Sequence, residues 1–408
     1  MSYEIWNTAC VAMAICGVVA GCSSDRPVAP KPDAAALASS GPLNPALISR
    51  GKEFFRFDTY GDESFWTDTL RMHEVIRSSV SPVTALSVGL KVDVDALPSS
   101  IKTALQNGTI DLNDPATTVA LLKLGAVLGV IGHVDANNTL TAVGVTCALC
   151  HSTVDNSFAP GIGHRLDGWP NRTLNVGALL ALSPALTAAQ KAVYTSWGPG
   201  KYDPRFNVDG QNIPAVIPPA FGLRHVAREI YTGDDTISYW NDYVAITQMH
   251  GHGQFVDPRI GVSVNNPPEL VAPKLAALRT YQFSLESPVA TPGTFDLDAA
   301  RRGRQVFNAI ARCSGCHVGS AYTDVNQGVL HTPAEVGQDP AYALRSVTKL
   351  YRTTPLRGLW HPPQLTGPYF HDGHALTLDA VVDHYVQLQG LVLTAQQRKD
   401  LIEYLKTL

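Results

Sequence analysis

The stretch Gly144-Val145-Thr146-Cys147-Ala148-Leu149-Cys150-His151, GVTCALCH, sets two cysteines two residues apart and a histidine directly after the second. The same spelling returns at Arg312 to His317, RCSGCH. Two thiols with this gap, wound as one helical turn, reach the two vinyl groups of a haem. A histidine in the next position then lies under the iron as an axial ligand. One zinc site built from all four cysteines leaves the matched histidines unexplained. A thioredoxin-like dithiol needs a βαβ setting, which the flanking sequence lacks. The pattern points to two covalently bound haem c groups. Cys147, Cys150 and His151 would hold the first, and Cys313, Cys316 and His317 the second.

Working outward, 408 residues give room for two domains. A hydrophobic content of 45% with 16% charged residues reads as globular. A net charge of −4 offers no basic face, so nucleic acid is not an expected partner. The cysteines outside the two motifs are Cys10, Cys16 and Cys22, which argues against a disulfide framework. Thr8 to Ala20 is a short apolar run of the kind found in export signals. Its end, Val19-Ala20-Gly21-Cys22, resembles a bacterial lipobox, in which the cysteine is acylated. The residues before it depart from that pattern, with Glu4 and no Lys or Arg. Residues 1–22 are expected to be a signal peptide, and the Ala-, Pro- and Ser-rich residues 23–42 a flexible tether. The expected location is the periplasm or cell envelope, with a lipid anchor in the membrane; haem c is attached outside the cytoplasm. No later hydrophobic run is long enough to cross a bilayer.

The fold class expected is mainly α, with two cytochrome c-like haem domains. A Pro- and Gly-containing break at 287–298 separates an N-terminal haem domain, 43–286, from a C-terminal one, 299–408. RGKEFF at Arg50 to Phe55 echoes RGRQVF at Arg302 to Phe307. In each, a glycine and the apolar residues three and four positions on share one helical face, and the glycine lets a second helix approach closely. The first copy lies much further from its C-x-x-C-H unit than the second, so the first domain carries a large insertion. That insertion ends in a small β-hairpin, with AVLGVIGHV and TLTAVGVT flanking the turn DANN. Near the C-terminus, Thr377 is an N-cap candidate, and Thr394 with Gln397 reads as a capping box.

The remaining ligands decide whether the two haems do the same work. Iron that only passes electrons wants two strong axial ligands, whereas iron that acts on a small oxidant needs an open position. The methionines are Met1, Met13, Met72 and Met249, none of them in the C-terminal domain unless Met249 reaches across. Candidates there are His331, His361, His371, His374, His384 and Tyr385. Helical phase favours Tyr385 over His384, because Tyr385 shares a face with Leu378, Val381 and Val382. The same phase also fits an ordinary core tyrosine.

From Ala299 to Leu408 the sequence closely resembles the C-terminal domain of the bacterial di-haem cytochrome c peroxidase / MauG superfamily. RRGRQVF, CSGCH, YTDV with His331, YRTTPLRGLW, GPYFHDGHALTLDAVVDHY and LTAQQRKDLIEYLKTL carry the likeness. The resemblance implies an iron ligand at Tyr385, where the peroxidases have methionine and MauG uses a tyrosine. Around the first motif, TCALCHSTVDNSFAPGIGHRLDGWPNRTLNVGALL is a partial match. It implies that His164 is the distal ligand or acid-base group of the N-terminal haem. A loop histidine would fit the APGIGH context equally. The activity implied is reduction of hydrogen peroxide at the N-terminal haem, with electrons relayed by the C-terminal haem from a small redox protein or a quinol-linked donor. A pure electron carrier, or a MauG-like oxidase or oxygenase acting on an organic or protein substrate, are the alternatives. Calcium between the haems is left open. The FWDGR segment of the peroxidases and their downstream glutamate-glutamine stretch are absent. Glu229, Asp234, Asp235, His250 and His252 are alternative proton donors or acceptors, and Trp169, Trp197 or Trp240 could lie between the haems. RFDTYGDESFW, early in the insertion, has no counterpart in the short peroxidases and reads as structural.

Overall fold

A carboxamide and a proline start the first long helix. The Asn44 side chain accepts hydrogen bonds from the N–H groups of Ala46 and Leu47, and Pro45 fills a position whose N–H would have no partner. The computed structural model describes residues 41–360 and 367–408. The signal peptide, the lipobox-like cysteine, nearly all of the tether and His361 lie outside those residues. The described residues belong to one compact unit. They are mainly α-helical, with small two-stranded sheets. Among them, no helix is long and apolar enough to cross a membrane.

The helix α1 (Pro45–Phe57) leads into the insertion, whose short helices Met72–Ser79, Pro82–Ser87, Ser99–Gln106 and Pro115–Lys123 surround an apolar core. The expected hairpin follows. Strand β1 (Val130–Val134) pairs antiparallel with β2 (Leu140–Val145), Val130 opposite Val145. Strand β2 delivers the chain to the one-turn helix α2 (Ala148–His151). Gly129 is pressed against that turn. Its φ is +73°, and a Cβ there would lie 2.0 Å from the Leu149 nitrogen, so only glycine fits.

Helix α3 (Leu275–Ser284) packs across α1, and helix α4 (Leu297–Gln305) is capped by Asp296. Helix α5 (Leu378–Leu388) has Thr377 as its N-cap, and α6 (Ala395–Lys406) opens with the Thr394–Gln397 capping box. The internal echo has a geometric meaning. A Cβ on Gly51 would lie 2.0 Å from the Ala277 carbonyl oxygen, and one on Gly303 would lie 1.8 Å from that of Asp400. Each glycine is thus the crossing point of a helix pair, α1 with α3 and α4 with α6. At each crossing an aromatic pair closes the gap edge-on. Phe55 meets Tyr281 at 5.5 Å between centroids, and Phe307 meets Tyr404 at 5.2 Å. Phe55 and Cys147 belong to one apolar cluster, and Phe307 and Cys313 to another. The chain therefore builds the same local frame twice, each time beside a C-x-x-C-H unit.

Candidate haem sites

In the first unit Cys147 caps α2, and the His151 N–H closes the turn on the Cys147 carbonyl at 3.2 Å. The second is wound alike, with the His317 N–H donating to the Cys313 carbonyl at 3.0 Å. Burial pushes the thiols of Cys147 and Cys150 up to about 12 and that of Cys313 to about 11. All three stay protonated. Cys316 is exposed.

The two histidines are held in the same tautomer. His151 Nδ1 lies 3.1 Å from the Pro218 carbonyl oxygen, and His317 Nδ1 lies 3.0 Å from that of Tyr322. A carbonyl can only accept, so Nδ1 carries the hydrogen and Nε2 keeps its lone pair. Burial lowers both imidazoles, His151 to about 4, and keeps them neutral. A neutral imidazole oriented through Nδ1 is the form that ligates a metal through Nε2. Paired thiols beside such a histidine fit haem c at both places.

The second site has Tyr385 beside it. Burial pushes the phenol up to about 12, and the Cys313 and Cys316 thiols add to the shift, so the ring lies near both sulfurs. Its hydroxyl makes no hydrogen bond among the described residues. His384 is turned elsewhere, its Nε2 donating to the Val336 carbonyl at 2.9 Å. His371 is buried among Tyr231, Tyr342 and Tyr351, with Nδ1 3.0 Å from Gln338 Oε1. His374 pairs with Asp372 at 2.7 Å and stacks on Phe370. His331 is bonded to Asp324 at 2.9 Å and forms a cluster with Cys316. A set mixing thiol, imidazole and carboxylate does not resemble the all-oxygen shell of calcium.

At the first site, His164 is not brought to the C-x-x-C-H turn. Its side chain is 60% exposed and Nδ1 pairs with Asp95 at 2.9 Å, which draws the ring outward to a partner in the insertion. Met249 does not reach the C-terminal half either. It is buried in the N-terminal core, in the cluster that Cys147 and Cys150 pack against. Most of the other acid-base candidates are already engaged. Glu229 pairs with Arg352, Asp234 with Arg205, and Asp235 with Arg259, while His252 donates through Nδ1 to the Pro267 carbonyl at 2.8 Å. Two phenols that the sequence did not single out flank the thiols. Tyr60 lies beside Cys147, which adds to a shift driven first by burial. Tyr202 lies beside Cys150 and donates to Gln248 Oε1 at 2.7 Å.

The two halves meet close to the first histidine. The Gly168 N–H donates to the His151 carbonyl, and the next residue, Trp169, packs on Phe221 at 5.4 Å. The Phe221 ring lies against Gly358, where a Cβ would come within 2.9 Å of it. Trp197 and Trp240 are buried in the N-terminal half, Trp197 donating to Asn212 Oδ1. Ion pairs reinforce the contact, with Arg345 on the buried Asp203 and on the more exposed Asp209.

Comparison with known proteins agrees with the resemblance seen in the sequence. Residues 300–408 match the cytochrome c family model. The chain is 31% identical over 156 residues to the methylamine utilization protein MauG of Methylorubrum extorquens. That match takes in 33% of this chain and 43% of the relative, so the chain spans less than half the length of the curated relative it matches. Hydrazine synthase of Kuenenia stuttgartiensis is similar over 48% of this chain and 72% of its own, at 21% identity and a TM-score of 0.33. A MauG-like protein associated with microbial copper homeostasis is similar over 48% of this chain and 74% of its own, at 18% identity and a TM-score of 0.33. The C-terminal segment is thus similar to cytochrome c, and the matched part of the chain is similar to MauG, in line with the resemblance read from the sequence.

Proposed function

We propose that the chain is a di-haem c-type cytochrome oxidoreductase that reduces hydrogen peroxide. One haem would be held by Cys147, Cys150 and His151, and the other by Cys313, Cys316 and His317. The observation that carries this reading is the repeated histidine geometry, in which each imidazole donates through Nδ1 to a backbone carbonyl and keeps Nε2 for iron. Haem iron supplies one-electron chemistry and a coordination position for a small oxidant. The chain's residues supply the rest. The Pro218 and Tyr322 carbonyls orient the imidazoles, and burial keeps these neutral. Tyr385 offers a hard oxygen to the C-terminal site, which suits a low-potential relay. The N-terminal site, where the phenols of Tyr60 and Tyr202 flank the thiols, would be the reactive one. A small redox protein or a quinol-linked donor would restore the electrons. The export signal and Cys22 support a lipid-anchored protein outside the cytoplasm, and Cys22→Ser should release it from membranes.

The test is covalent stoichiometry followed by spectroscopy. The exported protein should keep two haems through denaturation and acid-acetone extraction, and Cys147→Ala with Cys150→Ala should leave one. Tyr385→Met should raise the potential of the C-terminal haem, because a neutral thioether favours ferric iron less than a phenolate does. Haem that washes out would overturn the reading. So would two unchanging low-spin signals with no response to peroxide, which would mark an electron carrier.

A further inference from the structure

Two of the residues with left-handed backbone in the N-terminal half lie in segments that touch each other, Tyr60 with φ +54° and His250 with φ +65°, a region that non-glycine residues seldom adopt. They lie far apart in sequence and touch the same place. The His252 N–H donates to the Tyr60 carbonyl at 2.7 Å, and a Cβ on Gly251 would lie 2.8 Å from that of Tyr60. A π-helical turn lies a few residues from each, Ser64–Thr69 after Tyr60 and Val244–Gln248 before His250. Such turns recur at functional sites. The turns are clamped together. Trp66 Nε1 donates to the Met249 carbonyl at 3.2 Å, and the Phe65 ring stacks on the His250 imidazole at 3.6 Å.

The Tyr60 side chain is buried, and its hydroxyl faces the Cys147 thiol with no nitrogen or oxygen partner. The His250 ring makes no hydrogen bond among the described residues, unlike the acid-base candidates that are already paired or bonded. The segment from Gln248 to His252 also joins both edges of the thiol pair. Gln248 holds Tyr202 beside Cys150, and Gly251 and His252 hold Tyr60 beside Cys147. The Nδ1 side of His151 is built from other segments, Gly168 and Pro218.

We propose that Tyr60 and His250 are the proton-handling pair for hydrogen peroxide at the N-terminal haem site. This rests on the peroxidase reading above, and it supplies the groups that the missing FWDGR segment leaves unfilled. His250 accepts the proton of the inner peroxide oxygen and passes it to the outer one, to which the Tyr60 hydroxyl donates a hydrogen bond. The oxygen–oxygen bond would then break with the outer oxygen leaving as one water, and two electrons from the external donor with two protons from solvent would release the inner oxygen as a second water.

The test uses the di-haem holoprotein. His250→Asn removes the base while keeping a residue that tolerates the left-handed backbone, and Tyr60→Phe removes only the hydroxyl. Stopped-flow mixing with peroxide should show a loss of roughly 100-fold or more for His250→Asn. For Tyr60→Phe, which removes one hydrogen bond, the loss should be about 10-fold. Cyanide, which must shed a proton to bind, should bind His250→Asn more weakly, a readout independent of turnover. Where His250→Asn fails to load both haems, Tyr60→Phe decides by the same two measurements. Variants as reactive as a reactive wild type would overturn the inference alone. So would a change from low-spin to high-spin iron in His250→Asn, which would make His250 a ligand. A wild type that leaves peroxide untouched would overturn the inference and the peroxidase reading together.

Discussion

Asp62 is fully buried, and both its carboxylate oxygens face the Val145 N–H two residues before Cys147. Burial raises it to about 9 against the pull of that N–H, with Glu63 and Asp58 adding to the rise. An unfolded chain releases the same proton near pH 4. The native state therefore holds an extra proton between about pH 4 and about pH 9. The stability tied to it is complete below pH 4 and is lost as pH rises through 9. Asp62→Asn keeps an acceptor for Val145 and has no proton to lose. It should flatten the fall in melting temperature between pH 5 and pH 8.5. At the upper end it should stabilise the protein by on the order of 2 kcal/mol, as read from denaturant unfolding. Equal slopes for the two proteins would show that Asp62 ionises freely in the fold.

Gly51 and Gly303 set the separation of the two helix pairs, and in each case the atom a methyl group would strike is a backbone carbonyl oxygen. A flexible side chain could move aside, but a helix backbone moves only by separating the pair. Gly51→Ala and Gly303→Ala should each cost about 3 kcal/mol or more, at the upper end of overpacking effects. Gly198→Ala meets nothing within 4 Å and pays only for its left-handed backbone, φ +77°. Thermal unfolding of the three holoproteins should rank them so. This part of the fold was legible in the sequence, because a glycine before paired apolar residues is a local signal. The C-x-x-C-H turns, the Thr377 cap, the Thr394 capping box and the hairpin were legible for the same reason. Each is written within a few neighbouring residues.

What the sequence did not disclose belongs to the whole molecule. Nothing near Tyr60 announces that His250 will stack over the following phenylalanine, since that contact exists only once the insertion has folded back on the segment after Trp240. For His164 the resemblance implied a ligand or acid-base role, and the acid its ring pairs with, Asp95, comes from the insertion. The contact between the halves is likewise made of distant pairs, such as Arg345 with Asp203 and Phe221 with Gly358.

The burial of the first pair of sulfurs has a consequence for biogenesis. A chain that folds before it is loaded would lock Cys147 and Cys150 away as inert thiols, while Cys316 would stay reachable at the surface. Because Cys313 is raised by burial as well, a folded chain would offer only one reachable thiol of the second motif, so covalent attachment at both motifs should run ahead of collapse. Alkylation of unloaded, refolded protein at neutral pH should label Cys316 readily and Cys147 and Cys150 at least ~100-fold more slowly, in line with their raised thiol values. Slowing collapse should rescue the first attachment when the maturation machinery is scarce, so the yield of fully loaded protein becomes a race between folding and covalent capture.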